Sequence, residues 1–133
     1  MRSDQKSYQD LTDLQLALME VLWTRGEATV SQVQEGLLET RGLAMTTVAT
    51  LLSRLEKRGV VTHRTEGRQY VYRPSVSREE VCESMVSALT NRLFRGDVTA
   101  LLSHLLTASE ISPGDLAEVR RMIERKTEDR HGQ

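Results

Sequence analysis

The sequence predicts a mainly α protein: a winged helix-turn-helix domain with a C-terminal helical dimerisation region. Three observations carry this. Three short helical patterns follow one another from Thr12 to Gly59, each with an apolar stripe. The period then switches to that of a β-hairpin, and beyond Pro74 it becomes helical again. The helix-first order excludes a βαβ sheet, and the hairpin excludes an all-helical bundle. The expected division is a winged-helix domain over 1–75, with 1–10 flexible, and a dimerisation domain over 76–133.

Each element has its own chemistry. Thr12 and Gln15 have capping-box spacing, with Leu11 placed to staple onto Leu16. Leu14, Ala17, Leu18, Val21 and Leu22 then form the expected inward face, and Gly26 ends the helix. Thr29 and Gln32 repeat the capping box before Val33, Leu37 and Leu38, with Gly42 expected at the C′ position. A third helix is expected from Met45 to Arg58. It has no strong cap, but Val48, Leu51, Leu52 and Leu55 make its apolar stripe and Gly59 stops it. Val60 to Arg64 and Gln69 to Arg73 read as strands around Thr65-Glu66-Gly67-Arg68, and Pro74 closes the second.

Ser77 with Glu80 is a third capping box, stapled by Val76 and Val81, opening a helix that ends at Gly96. Asp97 caps a short helix carrying Val98, Leu101, Leu102, Leu105 and Leu106. Ser112 and Pro113 open the last helix, with Leu116, Val119, Met122 and Ile123 expected inward and a frayed tail from Lys126.

Composition narrows the class. The 133 residues are 38% apolar and 28% charged, as in a soluble globular chain, with no run long enough to span a membrane. The N-terminus lacks the apolar segment of a signal peptide, and Cys82 is the single cysteine, so a reduced, cytoplasmic protein is expected. His63, His104 and His131 stand apart from one another, and no nucleophile or phosphate-loop motif occurs, so neither a metal, a cofactor nor catalysis is expected. Net charge is −1, but its distribution is uneven. Residues 1–53 carry four basic and seven acidic side chains, 54–73 six and two, and 74–133 eight and ten. The basic excess falls on the end of the third helix and the hairpin, where a winged helix meets DNA.

The third helix carries the sharpest signal. Opposite its apolar stripe lie Thr46, Thr47, Ala49, Thr50, Ser53, Arg54 and Lys57. A merely solvated face favours Glu, Lys and Gln, which are better helix formers. Short hydroxyl side chains instead allow close approach and can bond phosphates or base edges, while an arginine reaches a guanine edge. Arg64 and Arg68, either side of the hairpin tip, suit the phosphate backbone. Two other readings are a protein–protein adaptor, which calls for an apolar or acidic third-helix face, and a small-ligand-responsive regulator, for which no convergent polar residues are seen.

The stretch Leu14 to Trp23, the run Thr46-Thr47-Val48-Ala49-Thr50-Leu51-Leu52-Ser53-Arg54-Leu55 with Lys57-Arg58-Gly59, and Tyr70-Val71-Tyr72 resemble the BlaI/MecI penicillinase-repressor family. The similarity continues through Leu93-Phe94-Arg95-Gly96-Asp97 and Leu101-Leu102, covering about residues 11–125. The resemblance implies a bacterial transcriptional repressor of antibiotic response, a homodimer binding a dyad operator on double-stranded DNA through its third helix. It also implies release through a membrane sensor protease that cuts in the fifth helix. Some members carry a basic residue where this chain has Ala49, which implies a different base preference. The family's Asn-Phe cleavage bond corresponds here to His104-Leu105. The copper-responsive branch ends in a cysteine-rich motif, and no cysteine follows Cys82.

Dimerisation is also expected from the residues themselves. The last 58 residues are too few to bury a stable core alone. The helix from Arg78 to Arg95 has two apolar stripes, Val81, Met85 and Ala88 on one side and Cys82, Val86, Leu89 and Leu93 on the other. One is expected to face its own subunit and the other a two-fold mate, with Cys82 filling packing space.

Overall fold

The structure, a computed structural model, describes residues 8–108 and 110–131. The order is α1 (Asp13–Arg25), β1 (Ala28–Thr29), α2 (Val30–Leu37), α3 (Met45–Lys57), β2 (Val61–Glu66), β3 (Gln69–Pro74), α4 (Arg78–Phe94), α5 (Val98–Ala108) and α6 (Pro113–His131). Two compact units meet inside α4, one ending at Leu89 and the other starting at Thr90.

In the first unit the helix starts follow the local chemistry. The Thr12 hydroxyl accepts from the Gln15 amide at 3.1 Å, and the Thr12 amide donates back to the Gln15 side chain at 2.9 Å. Thr29 with Gln32 and Ser77 with Glu80 form the same reciprocal pair. The core lies between the helices and the sheet: Leu18, Met19 and Leu22 of α1, Val33 and Leu37 of α2, Val48, Leu52 and Leu55 of α3, then Val60, Val61, Tyr72 and Val81. The sheet order is β1-β3-β2, all antiparallel, with Ala28 opposite Tyr72 and His63 opposite Tyr72 on the other side. The indole Nε1 of Trp23 donates to the Val76 carbonyl at 2.9 Å, tying α1 to the start of α4.

Several expectations need correction. On α1 the inward face is rotated: Met19 is fully buried, whereas Leu14, Ala17 and Val21 are only half-buried. Helix α2 ends at Leu37, with the Thr40 and Arg41 amides both donating to the Leu37 carbonyl, so Leu38 points outward and Gly42 is no C′ residue. Gly42 has no positive φ, unlike Gly26 and Gly59. The hairpin loop is two residues, Gly67-Arg68, because Glu66 already pairs with Gln69. Gly67 at φ 64 followed by a residue of negative φ is the type II′ pattern, whose twist matches that of the strands. Strand β1 was not expected at all. Tyr8 packs against the core and Asp10 pairs with Arg58, while residues 1–7 lie outside the described chain.

Helix α4 divides its two stripes as the spacing suggests. Val81 is buried and Met85 packs on the core, whereas Cys82, Val86 and Leu89 are exposed, and so is Leu93. Cys82 therefore fills no space within its own chain. Arg95 and Gly96, both left-handed, end the helix.

In the second unit the Asp97 carboxylate caps α5 through the Ala100 amide at 3.0 Å, and the Ser112 hydroxyl caps α6 through the Asp115 amide at 3.0 Å. Helix α6 continues to His131, beyond the expected fraying point. Its apolar residues Leu116, Val119, Met122 and Ile123 are exposed in the protomer, as are Val98, Leu102, Leu105 and Leu106 of α5, so neither set faces inward within one chain. Among the described residues, no helix is long and apolar enough to cross a membrane.

Candidate nucleic-acid interface

Helix α3 has Ala44 as its N-cap, whose side chain supplies no cap hydrogen bond, so its position depends on tertiary contacts. One is a hydrogen bond from the Gln34 side chain of α2 to the Leu43 carbonyl at 2.8 Å. Burial of Val48, Leu52 and Leu55 turns the opposite face outward. Thr46, Thr47, Thr50, Ser53, Arg54 and Lys57 are all exposed there, as the 3.6-residue period requires. Ala49 sits on the flank and is half-buried; with Met45 it lines a groove whose far wall is Arg68, Gln69 and Tyr70 of the wing.

The wing is fastened to this helix from one side. In the hairpin, residues 61, 63 and 65 share a face with 70, 72 and 74, and that face turns toward α3. The His63 Nδ1 lies 2.8 Å from both carboxylate oxygens of Glu56, in the last turns of α3. The imidazole stacks on Tyr70 at 4.0 Å between ring centroids, 16° from parallel, and Tyr72 meets it tilted at 5.5 Å. Burial, with the nearby Glu56 carboxylate and Tyr70 adding to it, raises the Tyr72 pKa, so the buried ring stays a neutral hydroxyl.

Arg64 lies on the opposite face of the hairpin. Its guanidinium pairs with Glu27 at 2.9 Å and with Glu66 at 3.1 Å, and these hydrogen bonds, Glu27 first, raise its pKa. Of the cations expected to meet DNA, Arg64 is thus the one already held by carboxylates. Among the described residues Arg54, Lys57 and Arg68 have no ion-pair partner, which leaves their charge available to an external anion. Arg41, in the α2–α3 connection, is a further exposed cation outside the basic 54–73 segment. Tyr70 was also missed as a site residue; the alternation of Gln69, Tyr70, Val71 and Tyr72 along one strand would have placed it on the α3 side. Among the described residues no three His, Cys, Asp or Glu side chains converge to hold a metal.

Three helices, a small antiparallel sheet and a two-residue wing turn beside an exposed hydroxyl-rich helix define a winged helix-turn-helix protein. The penicillinase repressor family model matches residues 11–125, and the chain belongs to that family. A transcriptional regulator BlaI of Mycobacterium tuberculosis is 39% identical over 124 residues, covering 92% of this chain and 88% of the relative. The penicillinase repressor of Bacillus licheniformis is 26% identical over 119 residues, 90% of this chain and 93% of that one. Among solved structures, the DNA binding domain of the repressor BlaI superposes with a TM-score of 0.50 at 30% identity, over 57% of this chain and 93% of that one. A mutant MarR from E. coli gives a TM-score of 0.50 at 13% identity over 89% of this chain and 79% of its own, a likeness of fold alone.

Proposed function

We propose that this chain is a cytoplasmic, dimeric transcriptional repressor that binds a pseudo-palindromic operator through α3 and the wing. The observation that carries the reading is the α3 surface: hydroxyls of Thr46, Thr47, Thr50 and Ser53 beside the cations Arg54 and Lys57, all exposed. Such a face is too small and polar to recruit an apolar partner, and too basic for an acidic docking surface. It matches the donor and acceptor requirements of a major groove and its flanking phosphates. Arg68 at the wing tip adds a phosphate contact, and Arg64 a weaker one.

The dimer rests on the apolar surface left open on single chains. Val86, Leu89 and Leu93 of α4 are exposed, and so are the α5 and α6 residues named above; so many large apolar side chains left open call for a partner surface. The functional division we propose is a reading head over 1–75 and a dimerisation region over 76–133, with Val76 and Val81 at the start of the latter packed in the first unit's core. A two-fold pair sets its two α3 helices about 34 Å apart, one turn of B-DNA.

Release from DNA works through loss of the dimer, since linkage of two heads is what raises the effective concentration of the second. Cleavage by a membrane sensor protease at His104-Leu105, exposed on α5, would detach α6 and part of α5. Selection of bound sequences from random duplex DNA tests the proposal. It should return an inverted repeat whose half-sites lie about 10 base pairs apart, centre to centre; an unenriched pool would refute it.

A further inference from the structure

Tyr70 stands out among the wing residues. It is 49% exposed although both neighbours on its own face, His63 and Tyr72, are more buried. One face of its ring is covered by His63, and Tyr72 approaches edge-on at 6.1 Å. The ring face turned toward His63 is therefore closed to a base. Tyr70 and Arg68 both line the groove between α3 and the wing, and the phenolic hydroxyl is the one polar group the half-exposed Tyr70 side chain can offer there. The imidazole that covers it is itself fixed by Glu56 of α3, so the tyrosine is registered against the reading helix rather than against the wing alone.

We propose that Tyr70 contacts the operator backbone, its hydroxyl donating a hydrogen bond to a phosphate, and that His63 is the positioning residue that holds the ring for this contact. The inference rests on the reading of α3 and the wing as the DNA interface and adds residues to it. A neutral donor beside Arg68 suits a phosphate, because tyrosine hydroxyls are regular backbone ligands and carry no sequence information. The role of Glu56 is to orient His63; it does not meet DNA, where its charge would be repelled.

The test uses the full chain and the operator returned by selection. Tyr70→Phe keeps the ring and its stacking, so folding is preserved. It should weaken binding by about tenfold for each half-site, the worth of a hydrogen bond to a charged group. The loss should be the same on unrelated duplex DNA. The dependence of log affinity on log salt should keep its slope, since no cation is removed. His63→Ala should weaken binding in the native background and change nothing further in the Tyr70→Phe background, the non-additivity expected of residues acting through one contact. Wild-type affinity for Tyr70→Phe would overturn the contact, and equal losses from His63→Ala in both backgrounds would overturn the positioning role. If the native chain selects no sequence, the interface reading itself has failed. If it does, and Arg54→Ala weakens binding while Tyr70→Phe does not, only the tyrosine assignment falls.

Discussion

Arginines that look alike in the sequence occupy different electrostatic settings in the fold. Among the described residues Arg54 and Arg68 have no carboxylate partner, whereas Arg64 is shared between Glu27 and Glu66. A cation that must leave two carboxylates to reach a phosphate releases less net free energy on binding than one that is free. Arg68→Ala should therefore lower the salt slope of operator binding by about one unit per half-site. Arg64→Ala should lower it by less, and an equal drop in titrations from low to moderate salt would show that the carboxylates impose no competition. Arg54 lies two turns into α3 on the hydroxyl face. If it reads a base edge, Arg54→Ala costs roughly 1–3 kcal/mol per half-site and relaxes one operator position. Selecting sequences with the variant measures this directly: an unchanged consensus and affinity would mean that α3 is not the reader.

Elements differ in how far their own sequence determines them. The wing turn is local: Gly67 holds φ 64, and an added Cβ would meet no atom within 4 Å, so only backbone strain opposes a side chain. Gly67→Ala should destabilise the hairpin by about 1–2 kcal/mol, the cost of a left-handed non-glycine residue. Chemical denaturation reads this, and an unchanged midpoint would mean that the turn relaxes to another type. Locality also explains what was legible beforehand. The capping boxes at Thr12, Thr29 and Ser77 were readable because both partners lie within four residues. The exposed face of α3 was readable because its stripe is regular. Strand β1 was not, since two residues have no periodicity and Ala28–Thr29 becomes a strand only by pairing with Val71 and Tyr72, some forty residues on. Met19 escaped for a similar reason, the rotation of α1 being set by α2 and the sheet. The ion pairs of Arg64 and the His63–Glu56–Tyr70 cluster join residues from separate elements, and no single-segment pattern encodes them.

For the whole molecule the open question of burial falls on the C-terminal helices. Thr90 is the one buried side chain among the described residues from 90 onward, while Leu93, Val98, Leu102, Leu105, Leu106, Leu116, Val119, Met122 and Ile123 face solvent in a single chain. Covering them with a second copy stabilises the assembly by removing apolar surface from water. Sedimentation at micromolar concentration should give about twice the 15.1 kDa chain mass without DNA. A chain ending at His104 lacks α6 and should sediment as a monomer, with operator affinity reduced to that of an isolated half-site; undiminished affinity would exclude release through loss of the dimer. The most direct test of dyad reading is titration of the native chain onto the selected operator and onto the same duplex with one half-site scrambled. Two chains per intact duplex are predicted, with a loss of about a hundredfold or more on scrambling. One chain per duplex, or equal affinity for the two, would contradict the account.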